Sequence, residues 1–336
     1  MVNIYDVAKK AKVSIATVSN VINKKNKEVS KKVIQQVMNA MEELGYAPSK
    51  VAIGLAKGET KIIGVVVSDI NNLFFSELVR VIEDQLYKLN FDLFLIDTHY
   101  DLLKSKELIN KLISSNVNSI LLLNNEVDLD VIKKLSKNKV PTILYNWGIT
   151  SDYVGDLCID FKSGIKAAVK KLYDLNHRNV LFIKSKTKLK TFKDRFDAFL
   201  DAEEELNLRD LKFEIIEGDS TITGGVNIVK KIMSLKKFKP TVIMCVNDIQ
   251  AIGILFSFHK YNINVPGDIS LIGLDNIYLS SVVYPKLTTI DLSAKRVGKN
   301  ILEMLFNLME DESKKGFHKI IETKFLFRDS LAKNIK

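Results

Sequence analysis

From Ile62 onward the chain alternates short apolar runs with amphipathic helical stretches, and this alternation limits the possible folds most severely. The runs Ile62–Val67, Phe91–Ile96, Ser119–Leu123 and Thr142–Tyr145 are separated by helical patterns at Phe74–Leu89, Leu102–Ser115 and Leu129–Asn138. A second series follows: Val154–Ile159, Val180–Ile183, Phe213–Ile216, Thr241–Val246 and Ile269–Gly273, again with helices between. A strand without a polar face must be covered on both sides, and an intervening helix supplies that cover, so parallel sheets are expected. Two series predict two doubly wound subdomains. Neither G-x-G-x-x-G nor G-x-x-x-x-G-K-[ST] occurs, which weighs against a dinucleotide or P-loop enzyme.

The first sixty residues follow a different period. Ile4, Val7, Ala8 and Ala11 fall on one face of a helix. Ser14 is a good N-cap for a second helix, in which Val18, Val21 and Ile22 face inward. Ile15, Ala16, Ser19, Asn20 and Asn23 share the opposite face, and such small, hydroxylated and amide side chains suit a helix seated in a DNA major groove. Ser30 caps a third helix with Val33, Ile34, Val37, Met41 and Leu44 as its buried stripe, and Gly45 stands where helices end. Residues 1–60 hold ten lysines against five acids, so half of the chain's net charge of +10 sits where phosphate contacts would be needed. The first arginine is Arg80, so no headpiece arginine can make the bidentate contact to guanine.

These residues resemble a known family. Ile4-Tyr5-Asp6-Val7-Ala8, Val13-Ser14-Ile15-Ala16-Thr17-Val18-Ser19 and Leu44-Gly45-Tyr46-Ala47-Pro48 are similar to the headpiece of the LacI/GalR bacterial transcription regulators. Ile63-Gly64-Val65-Val66-Val67-Ser68-Asp69-Ile70, Val246-Asn247-Asp248, Leu271-Ile272-Gly273-Leu274-Asp275-Asn276 and Phe327-Arg328-Asp329-Ser330 resemble its effector core. The resemblance implies a small all-α helix-turn-helix headpiece with a hinge helix, followed by a two-lobed α/β core similar to periplasmic binding proteins. The expected boundaries are a headpiece at 1–47, a hinge helix and linker at 48–60 and an effector-binding and dimerisation core at 61–336. The N-lobe takes about 61–160 and 292–321, the C-lobe about 161–291 and 322–332, with crossings near Asp160, Leu292 and Glu322. DNA contacts are expected from Tyr5, Ser14, Ile15, Ala16, Thr17, Ser19, Asn20 and Asn23, and from Val51, Ala52 and Leu55 of the hinge. The resemblance implies that Leu55 wedges into the minor groove. Ile53 stands where the family usually has arginine.

Ligands in open α/β sheets bind beyond the carboxyl ends of strands. Asn72, Phe74, Phe75, Asn146, Trp147, Asn247 and Asp275 fall there, and Arg195 matches the family's arginine at the start of a cleft-lining helix. Aromatic faces with Asp, Asn and Arg suit polyol recognition. Leu292 stands where the family has a cleft glutamine, and Asn146-Trp147-Gly148 looks closer to the family's purine-responsive branch, in which a tryptophan packs on the base. The expected protein is a homodimeric repressor, not an enzyme, that binds a pseudo-palindromic operator under control of a sugar, sugar phosphate or purine. No cofactor is expected. Cys158 and Cys245 read as buried reduced thiols, and His99, His177, His259 and His318 show no ligand spacing, so no metal site is expected. Met1 leads into a charged helix and no apolar run reaches membrane-spanning length, so a cytoplasmic location away from membranes is expected. A secreted sugar-binding protein is the rival reading, but it has no use for residues 1–60.

Overall fold

A computed structural model describes residues 2–23, 29–46, 60–124, 127–311 and 313–335. The chain divides into two compact units, Met1–Lys61 and Ile62–Lys336. In the first, α1 (Ile4–Ala11), α2 (Ile15–Ile22) and α3 (Lys31–Glu43) enclose a small core. Asn3 and Asp6 form a reciprocal capping box at the start of α1. Ser14 and Ser30 accept the backbone N–H of Thr17 and Val33 at the starts of α2 and α3. Val7, Val18 and Val37, one from each helix, are fully buried. Leu44 caps α3, and Gly45 follows in the left-handed region at φ 59°.

Among the described residues of the second unit, nine strands and seven helices come first, followed by three late strands and one more helix. They run β1 (Ile62–Val67), α4 (Leu73–Lys88), β2 (Asp92–Asp97), α5 (Leu102–Ser114), β3 (Ser119–Leu122), α6 (Leu129–Lys137), β4 (Thr142–Tyr145) and β5 (Val154–Asp160). Then come α7 (Phe161–Asp174), β6 (Asn179–Ser185), α8 (Lys190–Glu205), β7 (Lys212–Gly218), α9 (Ile222–Met233), β8 (Val242–Cys245), α10 (Asp248–Lys260) and β9 (Ser270–Ile272). A 3-10 turn at Tyr278–Ser281, β10 (Thr289–Asp291), α11 (Ala294–Glu310), β11 (His318–Glu322) and β12 (Lys324–Leu326) complete it. One lobe is built on a six-stranded sheet of order β11-β5-β4-β3-β1-β2, the other on a four-stranded sheet of order β7-β6-β8-β9. Their ladders are parallel. Among the described residues no helix is long and apolar enough to cross a membrane.

The strand series needs one correction. Val154–Ile159 opens the second series in the sequence, yet β5 lies in the first sheet, beside β4 with Thr142 opposite Val154. No helix separates these two parallel strands, so the usual sign of a neighbour is missing.

The lobes are joined where β5 runs into α7, where β10 precedes α11, and where β11 gives way to β12. β10 and β12 pair antiparallel as a small ribbon. The Thr323 hydroxyl donates to the Asp160 carbonyl at 2.8 Å and accepts the Gly164 N–H at 3.0 Å, while Ser163 donates to the Thr323 carbonyl at 3.0 Å. A Cβ on Gly164 would lie 2.5 Å from Thr323 Oγ1 and 2.6 Å from Ile290 Cγ2. Only glycine lets α7 approach both crossing strands this closely.

Candidate functional site

On the headpiece, Ser14, Ile15 and Ala16 at the start of α2 are exposed, and Thr17, Ser19 and Asn20 are half-buried. Tyr5 on α1 is 66% exposed. Lys9, Lys10, Lys12, Lys31 and Lys32 are also exposed, though Lys10 pairs with Glu43 at 2.7 Å. Asn23 is half-buried like Ser19 and Asn20, and its amide donates to the Ser19 carbonyl at 2.8 Å and to the Ser19 hydroxyl at 3.3 Å, which closes the end of α2. Val51, Ala52 and Leu55 lie outside the described residues.

In the core, one cavity is lined from both lobes. β1 ends at Val67, and the loop that follows brings Ser68 and Asn72 to the wall. Asn72 caps α4 by accepting the Phe74 N–H at 3.1 Å, which fixes the two phenylalanines on the first turn. Phe74, Phe75 and Tyr145 form an aromatic cluster with ring centroids 5.6–6.4 Å apart. Tyr100 completes this side. The opposite side comes from Leu189, Thr191, Phe192 and Arg195 at the start of α8, and from Asp275 beyond β9.

Arg195 and Asp275 form an ion pair at 2.9 Å with side chains 7% and 2% exposed. Arg195 also donates to the Val246 carbonyl at 2.6 Å and lies over the Phe161 and Phe192 rings. Its Nε and the Thr191 hydroxyl are buried without a hydrogen-bond partner. Burial pushes the Asp275 carboxyl up to about 6, against the pull of the Arg195 charge. Asp248, 0% exposed behind it, is pushed to about 7 by burial and then by the Asp275 charge. Two polar groups thus await a partner beside a paired charge in an aromatic wall. The free volume is about 20 Å3, room for about one water.

Asn72, Phe74, Phe75, Arg195 and Asp275 therefore meet at one cavity, whereas three expected residues do not line it. Trp147 packs into the first lobe, its indole N–H donating to the Asn124 carbonyl at 3.0 Å. The Asn247 side chain caps α10 and donates to the Ser220 carbonyl at 2.9 Å, so the fold consumes it. Asn146, at φ 62°, bridges the lobes by donating to Asp194 at 2.9 Å while accepting the Ile159 N–H at 3.1 Å. Sequence reasoning missed Ser68, Tyr100, Tyr145, Leu189, Thr191 and Phe192. The position of Ser68 just past strand β1 was a usable signal, whereas Tyr100 carries none.

A three-helix unit whose second helix has an exposed start, joined to a two-lobed α/β core with an aromatic-walled cavity that holds an ion pair, fits a ligand-responsive DNA-binding regulator. Residues 3–49 match the model of bacterial regulatory proteins of the lacI family, and residues 169–331 match a periplasmic binding protein-like domain. The chain is 34% identical over 313 residues to the HTH-type transcriptional repressor PurR of Aliivibrio salmonicida (strain LFI1238), covering 93% of each. The lac repressor dimer bound to operator and the anti-inducer ONPF superposes with a TM-score of 0.82 at 23% identity, over 98% of this chain and 99% of that one. A LacI family regulator from Enterococcus faecalis V583 with bound ribose gives a TM-score of 0.73 at 27% identity, over 81% and 99%. The chain belongs to the lacI family of bacterial regulatory proteins and is a DNA-binding transcriptional repressor, not an enzyme.

Proposed function

We propose that the repressor acts in the cytoplasm as a homodimer on a pseudo-palindromic operator and is controlled by a small polyhydroxylated ligand in the aromatic cavity. Ile15, Ala16 and Asn20 read bases from α2, with Ser14, Thr17 and the exposed lysines holding phosphates. Leu55, with Val51 and Ala52, is assigned the minor-groove contact. Two-fold symmetry in the protein requires the same symmetry in the DNA. Self-association is supported by apolar side chains left exposed: Phe94 and Leu95 on edge strand β2, and Ile222, Phe256 and Tyr278 in the other lobe.

The observation that carries the ligand reading is the buried Arg195–Asp275 pair, with unpartnered Arg195 Nε and Thr191 Oγ1 beside the rings of Phe74, Phe75 and Tyr145. Sugar hydroxyls accept from arginine and donate to carboxylate, while their C–H faces rest on rings. The ribose-bound relative favours this class, and the likeness to a PurR repressor favours a purine as the second reading. Trp147, the residue expected to stack on a base, does not line the cavity. Since about one water fits here, a ligand must widen the cavity and so bias the angle between lobes. It shifts the regulator only by binding the two arrangements unequally.

A thermal-shift panel of D-ribose, D-ribose 5-phosphate, hypoxanthine and guanine tests the class. One of them should raise the wild-type midpoint, and Asp275→Ala should weaken that compound by about 30-fold or more, as expected for loss of about 2–5 kcal/mol. An equal shift in the variant would place the ligand elsewhere.

A further inference from the structure

We propose that Asp156, Cys158 and His318 form a binding site for a thiolate-preferring divalent transition metal, zinc or a close analogue, at the outer edge of the six-stranded sheet. Asp156 and Cys158 alternate along β5 and so share a face of the sheet. Edge strand β11 pairs parallel with β5, with His318 opposite Asp156, which brings a third donor to that face from far along the chain. Among the described residues this is the group of acid, thiol and imidazole whose ligand atoms all lie within 4.8 Å of one another. Cys158 Sγ is 3.0 Å and His318 Nδ1 3.7 Å from the same Asp156 oxygen, Oδ2. In a tetrahedral zinc site, bond lengths of about 2.0–2.3 Å place ligand atoms roughly 3.3–3.7 Å apart. Small side-chain rotations therefore suffice to admit the ion.

The support and the access are both present. Asp156 is 0% exposed and oriented by two backbone donors, Trp147 N–H to Oδ1 at 3.1 Å and Gly148 N–H to Oδ2 at 2.6 Å. The His318 side chain is 45% exposed, which opens an entry path and leaves a solvent side for water as fourth ligand. Thiolate, imidazole and a single carboxylate select zinc or cobalt over magnesium or calcium, which require mostly oxygen ligands. The charge of Lys190 is felt at Cys158, and its ammonium is already paired with Asp194 at 2.6 Å. On binding, the Cys158 S–H bond breaks, its proton leaves to solvent, a sulfur–metal bond forms and the aqueous ion sheds water. The ion would tie together β5 and β11, the two strands that lead from this lobe into crossings.

The test uses reduced, metal-free full-length protein dialysed against zinc, with cobalt as spectroscopic probe. Expected are one zinc per chain and, with cobalt, tetrahedral d–d bands together with a thiolate-to-cobalt charge-transfer band. Bound zinc should shield Cys158 from alkylation, with Cys245, fully buried, as the unreactive control. His318→Ala removes a surface side chain, so the metal-free midpoint should match wild type. Its zinc affinity should fall by at least the roughly 10- to 100-fold that even an outer-shell change costs, and Cys158→Ser should do likewise. Failure of the wild-type chain to bind zinc stoichiometrically would overturn the proposal. So would unchanged affinity in His318→Ala, or a cobalt complex without the thiolate band.

Discussion

Asp275 sits at φ 130° with its carboxylate 2% exposed, and its backbone N–H donates to the Ile290 carbonyl at 2.9 Å. The ion pair with Arg195 at 2.9 Å holds the carboxylate at the cavity. The Asp275 carboxyl, raised to about 6, gives a pH signature. Above that value the carboxylate accepts ligand hydroxyls; as pH falls through it, protonation removes an acceptor and weakens the Arg195 pair. Affinity for the compound that shifts the midpoint should be flat above neutrality and fall towards about tenfold per pH unit well below about 6. Titration calorimetry from pH 5 to 8 checks this, and a flat profile would remove Asp275 from the contact. In the headpiece, Asn20→Arg should shift operator preference toward guanine at one symmetric position, because arginine pairs bidentately with guanine where asparagine pairs with adenine. Recovery of the wild-type consensus in operator selection would refute the role of Asn20. Asp275 was visible in the sequence because it follows an apolar run, whereas Arg195, preceded by Lys190-Thr191-Phe192-Lys193-Asp194, stood out through the family resemblance. Neither signal could reveal that Asn247 is spent as a helix cap, or that the Trp147 indole turns to Asn124, because both outcomes depend on neighbours distant in sequence.

Among the elements, those with a two-sided apolar signal were legible and those without it were not. β1, β3, β4 and β8 are buried almost throughout and stand out as continuous runs. β11 reads His-Lys-Ile-Ile-Glu and is mostly exposed, as a sheet edge permits, so no periodicity marks it. β10 and β12 have three residues each and exist through their pairing. The junction they help build is tight enough to test. Gly164→Ala introduces a methyl 2.5 Å from Thr323 Oγ1 and 2.6 Å from Ile290 Cγ2, so one crossing must move. Such overpacking costs about 1–3 kcal/mol, and urea unfolding of the variant should show that loss. Wild-type stability would mean that the crossings yield freely at this point.

At the scale of the whole molecule, a headpiece and linker that together carry half of the net charge of +10 in sixty residues are joined to a core with an aromatic-walled cavity lined from both lobes. Neither unit explains the other unless ligand binding and DNA binding are coupled. Coupling between sites typically changes affinity by about 5- to 150-fold, in either direction. The most direct measurement is the operator affinity of the full-length protein on a selected pseudo-palindrome, with and without whichever of ribose, ribose 5-phosphate, hypoxanthine or guanine raises its midpoint. Wild type should show a change of at least about fivefold, and Asp275→Ala should bind the operator equally well without the compound yet show no change with it. An identical response in Asp275→Ala, or no response in wild type to a compound that demonstrably binds the cavity, would contradict control of the repressor through the Arg195–Asp275 site.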